Sequence, residues 1–188
     1  MRSLWFVPLL ALAAGCGQAT TTTGSSSMVA GTSVTQTFAT PTQSAAVGLK
    51  EVKPADFEKE VAAHAGKVVV VDVWFLGCVP CVKKFHETVE LHDKYADKGV
   101  VVMSLDVMES ELPNRAKVFK FLTDKKAAFP NYIFNGTEAD RDAWMDRNEA
   151  VPTPALLLYN RKGERVKTLT GATPPQVEAE VKALLAAK

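Results

Sequence analysis

Charged residues are missing from most of the first quarter of the sequence. No Lys, Arg, Asp or Glu lies between Arg2 and Lys50, although the 188-residue chain has 22 basic and 21 acidic residues. The chain therefore divides into an uncharged leader and a charged globular part. Because the net charge is only +1, composition gives no support to a nucleic-acid or membrane-surface partner bound through bulk electrostatics.

The leader also lacks an apolar run long enough to span a bilayer. Residues 1–15 combine the positive Arg2 with an apolar stretch of about eleven residues, where a spanning helix needs roughly 20. This pattern predicts a signal peptide. Its end, LAAGC, resembles a bacterial lipobox, in which the cysteine, here Cys16, carries the lipid. The alternative is an ordinary secretory signal with a chance cysteine, since Ala13 stands where lipoboxes most often have leucine.

Residues 16–48 lack the periodic apolar positions that a core requires, and they are rich in Thr, Ser, Gly and Ala. This composition predicts a flexible tether with an r.m.s. reach of about 30 Å. With lipid on Cys16, the tether would anchor the protein in a bacterial cell envelope, with its domain facing the periplasm or the cell exterior. The remaining residues, 49–188, contain enough apolar sequence for one domain with a proper core.

From residue 49 onward, apolar periodicity alternates between helical and extended patterns. Strands are predicted at 67–76, 99–107, 130–135, 155–159 and 164–170. Helices are predicted at 54–64, 79–96, 114–127 and 138–148, and a last helix opens at Thr173. The alternation predicts an α/β domain whose central mixed sheet is covered by helices on both faces. It does not determine the strand order.

Cysteines are scarce, yet two of the three lie only three positions apart. Cys78 and Cys81 form a C-x-x-C pair between a strand end and a helix start, which is typical of a redox motif. Unpaired N–H groups and the dipole at a helix N-terminus stabilise a thiolate there. Pro80 has no N–H to lose at such a position and helps to fix the turn.

Two other interpretations of the pair remain open. A purely structural disulfide suits an extracytoplasmic protein, but a bridge over four residues constrains the unfolded chain little. A zinc site needs four ligands, and only His86 and His92 on the following helix accompany the two cysteines. The pattern favours the redox interpretation, and we predict no metal site.

An acid interrupts the apolar run that precedes the cysteines. Asp72 lies within VVVVDVWF, on the same strand face as Val70 and Trp74, so we expect its carboxyl group to be buried. Burial raises the pKa of a carboxyl group and lets it exchange a proton near neutral pH. The alternative is an acid at the strand end that reaches solvent or pairs with a lysine.

The segment DVWFLGCVPC, after a valine run and before a long amphipathic helix, resembles the thioredoxin superfamily. The later segment VPTPALLLYNRKG is similar to that family's cis-proline loop, strand and turn. With its extra strand and helix, the insert 106–150 resembles the TlpA/ResA-type periplasmic thiol–disulfide oxidoreductases. The resemblance covers roughly residues 50–188.

This resemblance implies a role for each matching residue. Cys78 would attack the substrate disulfide, Cys81 would resolve the mixed disulfide, and Asp72 would be the buried proton acceptor. Pro154 would be the cis proline, in preference to Pro152, and would line the substrate groove together with Thr153, Pro80 and Trp74. Gly77 departs from the family, which commonly has tryptophan directly before the first cysteine.

The sequence therefore predicts a membrane-tethered extracytoplasmic thiol–disulfide oxidoreductase that needs no cofactor besides the Cys78–Cys81 couple. The Val-Pro between the cysteines, together with Asp72, favours a reductase. The expected partners are extracytoplasmic protein dithiols or disulfides and a membrane thiol electron donor, with no nucleic acid and a monomeric chain. The alternatives are a copper-binding chaperone and a degenerate thioredoxin-like interaction domain, of which Gly77 is the best support.

Overall fold

A six-stranded mixed sheet forms the centre of the computed structural model, which describes residues 46–187. The strands are β1 (Lys50–Val52), β2 (Val68–Trp74), β3 (Val100–Asp106), β4 (Asn131–Phe134), β5 (Ala155–Tyr159) and β6 (Arg165–Thr170). Their order is β1-β4-β3-β2-β5-β6. The first four strands in this order are parallel, and β5 and β6 are antiparallel to their neighbours.

Five α-helices cover the two faces of the sheet, so the predicted α/β class is confirmed. They are α1 (Phe57–Ala62), α2 (Val79–Tyr95), α3 (Arg115–Asp124), α4 (Glu138–Arg147) and α5 (Pro174–Ala186). Three short 3-10 helices lie at Pro54–Asp56, Ala96–Lys98 and Glu109–Asn114. Side chains of α2, α3 and α5 pack on one face, and those of α1 and α4 pack on the other.

The central strand β2 brings the predicted acid and cysteines together. All seven of its residues are buried, because it lies between β3 and β5 and helices cover both of its faces. Val70 and Trp74 point toward the α2 side, whereas Val71 and Val73 point toward the α1 side. The strand ends at Trp74, and the loop of residues 75–77, here called the site loop, leads directly into α2.

The insert contributes α3, β4 and α4, and β4 pairs with both β3 and β1. Buried Asn131 of β4 fixes this part of the sheet. It accepts a hydrogen bond from Ser104 Oγ at 2.8 Å and donates to the carbonyl oxygens of Ala127 and Phe129 at 3.0 and 2.7 Å. The buried amide of Asn131 therefore has hydrogen-bond partners for both its oxygen and its NH₂ group.

The predicted signal peptide, the lipid-bearing Cys16 and nearly all of the tether lie outside the described residues. Within residues 46–187, every helix is too short or too polar to cross a membrane.

Candidate active site

Cys78 and Cys81 form a disulfide at the start of α2. Cys78 is the N-cap residue, with extended backbone angles, and its Sγ accepts a hydrogen bond from the backbone N–H of Cys81 at 3.3 Å. The two side chains are only 7% and 3% exposed. When the disulfide is reduced, this amide and the helix N-terminus favour the thiolate form of Cys78.

The two residues between the cysteines face outward. Val79 is 61% exposed, and Pro80 lies in the first turn of α2, where a missing N–H costs no hydrogen bond. An apolar side chain this open, directly beside the disulfide, offers a contact to the chain of another protein.

The Thr153–Pro154 peptide bond is cis. A cavity of about 520 Å³ joins this bond to Pro80, Cys81 and Asp72. Its remaining wall comes from α2, β5, β6 and the start of α5, and includes Thr88, Leu91, Leu156, Leu169 and Val177. Cys81 of the disulfide, the acid and the cis proline thus share one cavity.

Asp72 is buried in the wall of this cavity. Its side chain is 7% exposed, and its Oδ2 accepts a hydrogen bond from Thr88 Oγ1 of α2 at 2.5 Å. The pKa of Asp72 is raised to about 6, chiefly by burial, while the Thr88 hydrogen bond lowers it and the charge of Glu87 adds to the rise. A carboxyl group with this pKa exchanges its proton close to neutral pH.

Trp74 lies in the core and not in the groove, where the sequence interpretation placed it. Its side chain is fully buried, and its ring centroid lies 4.9 Å from those of both Phe85 and Phe121. The rings of Phe85 on α2 and Phe121 on α3 cover the Trp74 side chain, which does not line the cavity. Trp74 therefore packs in the core beneath the site.

Phe75 occupies the space beside Gly77, where the resemblance led to an expected tryptophan. A Cβ atom at Gly77 would lie 3.0 Å from Cε2 and 3.3 Å from Cδ2 of Phe75. The half-buried Phe75 ring packs against the α2 side of the core. Glycine at position 77 therefore leaves room for the aromatic ring of Phe75. Sequence reasoning missed Phe75 and Thr88, since their contacts depend on how the loop and the helix pack.

Introducing tryptophan at position 77 tests this explanation. Gly77→Trp is expected to lower the free energy of unfolding by about 1–3 kcal/mol, because the Phe75 ring has to move. The double variant Gly77→Trp/Phe75→Ala should lose less stability than the sum of the losses in the two single variants, because alanine leaves room for the tryptophan ring. Urea unfolding measures all the variants. Gly48→Trp is the control, since nothing lies within 4 Å of a Cβ atom there. Simple additivity of the two changes would contradict the explanation.

Neither histidine of α2 joins the cysteines in a cluster able to bind a metal. Across residues 46–187, no three or more His, Cys, Asp or Glu side chains are arranged to hold a metal ion. His86 is exposed, with its Nδ1 2.9 Å from the carbonyl oxygen of Lys83, and the half-buried His92 packs against Phe129 at 5.3 Å between ring centroids.

Strands β1 to β4 are parallel, a disulfide lies at the first turn of α2, and a cis proline lies beside it. Together these features define a thioredoxin-like protein. Residues 56–186 match the thioredoxin-like domain family, and the chain belongs to that family. The chain is 28% identical over 126 residues to the thiol-disulfide oxidoreductase ResA of Halalkalibacterium halodurans, an alignment that covers 67% of the chain and 66% of that relative.

A second ResA, from Bacillus subtilis, is 28% identical over 112 residues, covering 60% of the chain and 58% of the relative. The chain thus matches somewhat less than two thirds of the length of these relatives. Among solved structures, a thiol-disulfide isomerase from Corynebacterium glutamicum superposes with a TM-score of 0.59 at 22% identity, covering 69% of this chain and 86% of that one. This likeness shows the shared fold.

Proposed function

We propose that the protein is a thiol–disulfide oxidoreductase that acts as a disulfide reductase on extracytoplasmic proteins. The observation that carries the proposal is the Cys78–Cys81 disulfide at the N-terminus of α2, whose Cys81 lines the same cavity as Asp72 and Pro154. The thiol-disulfide oxidoreductase relatives support the same chemistry.

The reaction starts from the reduced pair. The Cys78 thiolate attacks one sulfur of a substrate disulfide, so a Cys78–substrate disulfide forms and the other substrate sulfur leaves as a thiolate, which takes up a proton. Cys81 then attacks the Cys78 Sγ, which releases the second substrate thiol and restores the Cys78–Cys81 disulfide. Two electrons pass to the substrate, and a membrane thiol electron donor returns the pair to its reduced state.

Asp72 serves the second step. Cys81 has to lose its proton before it attacks, and both Cys81 and Asp72 line the same cavity. Since its pKa of about 6 lies near working pH, ionised Asp72 can accept that proton, directly or through water in the cavity. Its hydrogen bond to Thr88 holds the carboxyl group in a fixed orientation.

We expect substrates to bind at the rim of the cavity. Thr153, Pro154 and Pro80 flank the buried Cys81, and exposed Val79 adds apolar surface beside the sulfurs. An extended substrate segment beside the cis peptide bond would place its own disulfide next to Cys78. Specificity would then depend on groups in the cavity as well as on the cysteines.

The proposed location rests on the leader. Residues 1–15 would be a signal peptide, Cys16 the lipidated N-terminus, and residues 16–48 the tether of a domain that spans residues 49–188. Mass analysis of the mature protein from a bacterial membrane fraction tests this: a lipidated cysteine at the N-terminus is expected, and an unmodified N-terminus elsewhere would contradict it.

The function is tested by titrating the full-length protein in dithiothreitol and glutathione redox buffers. We expect a reversible Cys78–Cys81 couple near the thioredoxin value of about −270 mV, and reduction of a protein disulfide by the reduced form. Cys16→Ser is the control and should leave the potential unchanged. A potential near the oxidising value of about −120 mV would indicate an oxidase. Absence of exchange together with stoichiometric Cu(I) binding would replace the proposal with a copper carrier.

A further inference from the structure

A glutamate from the insert binds the backbone directly in front of the first cysteine. Glu111 accepts a hydrogen bond from the backbone N–H of Leu76 on Oε2 at 2.9 Å and from that of Gly77 on Oε1 at 3.1 Å. The next backbone N–H, of Cys78, donates to the carbonyl oxygen of Phe75 at 3.1 Å. One carboxylate and one turn therefore take up the N–H groups of three successive residues at the entry to α2.

We propose that Glu111 is a positioning residue for thiol–disulfide exchange, which holds the site loop so that Cys78 is correctly presented, and that a proton on Asp106 keeps the Glu111 carboxylate in place. The catalytic part of this inference rests on the proposed function. The structural part concerns the loop alone and can be measured independently of any activity.

Asp106 is a second carboxyl group, next to that of Glu111. It ends β3, it is fully buried, and its Oδ1 accepts a hydrogen bond from the backbone N–H of Met108 at 3.0 Å. Its Oδ2 is buried as well and has no hydrogen-bond donor among the described residues. A buried carboxylate oxygen without a donor is costly, whereas a protonated one becomes a donor itself.

The surroundings of Asp106 favour that proton. Burial is the largest effect raising its pKa, and the carboxylates of Glu111 and Glu109 raise it further, while the hydrogen bond from Met108 works against them. The guanidinium group of Arg141 on α4, which pairs with Glu109, also pairs with Glu138 and Asp142. A neutral Asp106 can donate its O–H to Glu111, which is the acceptor beside it.

The 3-10 helix Glu109–Asn114 is fixed on its other side. Both oxygens of Glu109 accept hydrogen bonds from Nη1 of Arg141, at 3.1 and 3.0 Å, and both side chains are largely shielded from solvent. This ion pair ties the helix to α4 within the insert. Glu111 therefore reaches the site loop from an anchored segment, which gives the insert a direct connection to the cysteines.

The expected consequence concerns the position of the attacking sulfur. Hydrogen bonds to a carboxylate are stronger than those between neutral groups, so the site loop is held more firmly than by ordinary turns. Without them, Cys78 can move away from the Cys81 N–H that stabilises its thiolate, and productive encounters with a substrate disulfide become rarer.

Glu111→Gln tests the inference in the full-length protein. The amide oxygen of glutamine can accept from one of the two backbone N–H groups, and its NH₂ group repels the other. We expect hydrogen exchange of Leu76 and Gly77 to accelerate about tenfold, and the rate constant for reducing a protein disulfide to fall about tenfold. Glu164→Gln removes the same charge at an exposed position in the turn between β5 and β6 and should change both quantities by less than about twofold.

The proton on Asp106 is tested by a matched pair of variants. Asp106→Asn keeps an N–H donor toward Glu111 at every pH and should preserve the slow exchange of Leu76 and Gly77. Asp106→Ala removes the donor and should accelerate that exchange as Glu111→Gln does. If Asn and Ala accelerate it equally, the proton has no such role.

Equal effects of Glu111→Gln and Glu164→Gln would overturn the positioning role, since charge alone would then explain them. Unchanged amide exchange in Glu111→Gln would overturn it as well. Should that variant not fold, the wild-type protein gives the answer: the amides of Leu76 and Gly77 should exchange slowly although Gly77 is exposed, and exchange as fast as in an unfolded chain would contradict the inference. A wild type that lacks disulfide exchange would defeat the proposed function, while the amide measurements would still decide the role of Glu111.

Discussion

Replacing Cys78 with serine is expected to abolish disulfide exchange, lowering the rate constant by about 10³-fold or more. The hydroxyl group of serine is a far weaker nucleophile than a thiolate, and the hydrogen bond that the Cys81 N–H donates to position 78 cannot compensate. Reduction of a protein disulfide by the reduced full-length protein measures the effect. Residual activity near the wild-type level would mean that Cys78 is not the attacking residue.

Cys81→Ser should separate the two steps of the same reaction. Attack by Cys78 continues, but resolution fails, so the variant should accumulate a disulfide-linked complex with its substrate that survives non-reducing electrophoresis. Cys16→Ser is the matched control, because it removes the third cysteine and should neither block turnover nor trap a complex. Trapping by Cys78→Ser and not by Cys81→Ser would reverse the assigned roles.

Asp72→Asn has the second largest expected effect, and it acts on stability and on rate in opposite directions. The pKa of Asp72 is raised from 3.8 to about 6 in the folded protein. Its contribution to stability is fully present below pH 3.8 and is lost as the pH rises through about 6. At pH 7 the asparagine variant should therefore be more stable by about 2–3 kcal/mol, with little difference at pH 4. Urea unfolding at the two pH values measures this.

The same variant should resolve mixed disulfides more slowly, by about 10²-fold at neutral pH, because Cys81 loses its proton acceptor. Attack by Cys78 should change much less. Stopped-flow fluorescence or rapid acid quenching separates the two steps, and Asp93→Asn, an exposed change of the same type on α2, is the control. Equal resolution rates in Asp72→Asn and in the wild type would remove Asp72 from the mechanism.

Much of the fold was predictable because its signals are local. The valine run of β2, the helical spacing of α2 and the Thr173 N-cap before Pro174 each lie within a few consecutive residues. In the structure, the backbone N–H of Thr173 donates to Gln176 Oε1 at 2.9 Å, as a capping box requires. Strand β1 was missed, since three residues are too few to show an alternating pattern.

The site was predictable only where its residues are close in sequence. Asp72, Cys78 and Cys81 share one short stretch, so a strand followed by a helix places them together. The contact of Glu111 with the site loop spans 34 and 35 positions and depends on the path of the insert, which no local pattern determines. Trp74 was assigned to the groove from its proximity in sequence, whereas the rings of Phe85 and Phe121 cover it in the core, a contact between distant residues.

Two buried carboxyl groups lie on the α2 side of the sheet, Asp72 on β2 and Asp106 on β3, and both hold protons more tightly in the folded chain than in the unfolded one. Folding at neutral pH is therefore a proton-consuming reaction. Refolding in weakly buffered solution should make the medium measurably more alkaline, and Asp106→Asn should reduce that change. A protein of this kind gains resistance to unfolding as its surroundings become mildly acidic.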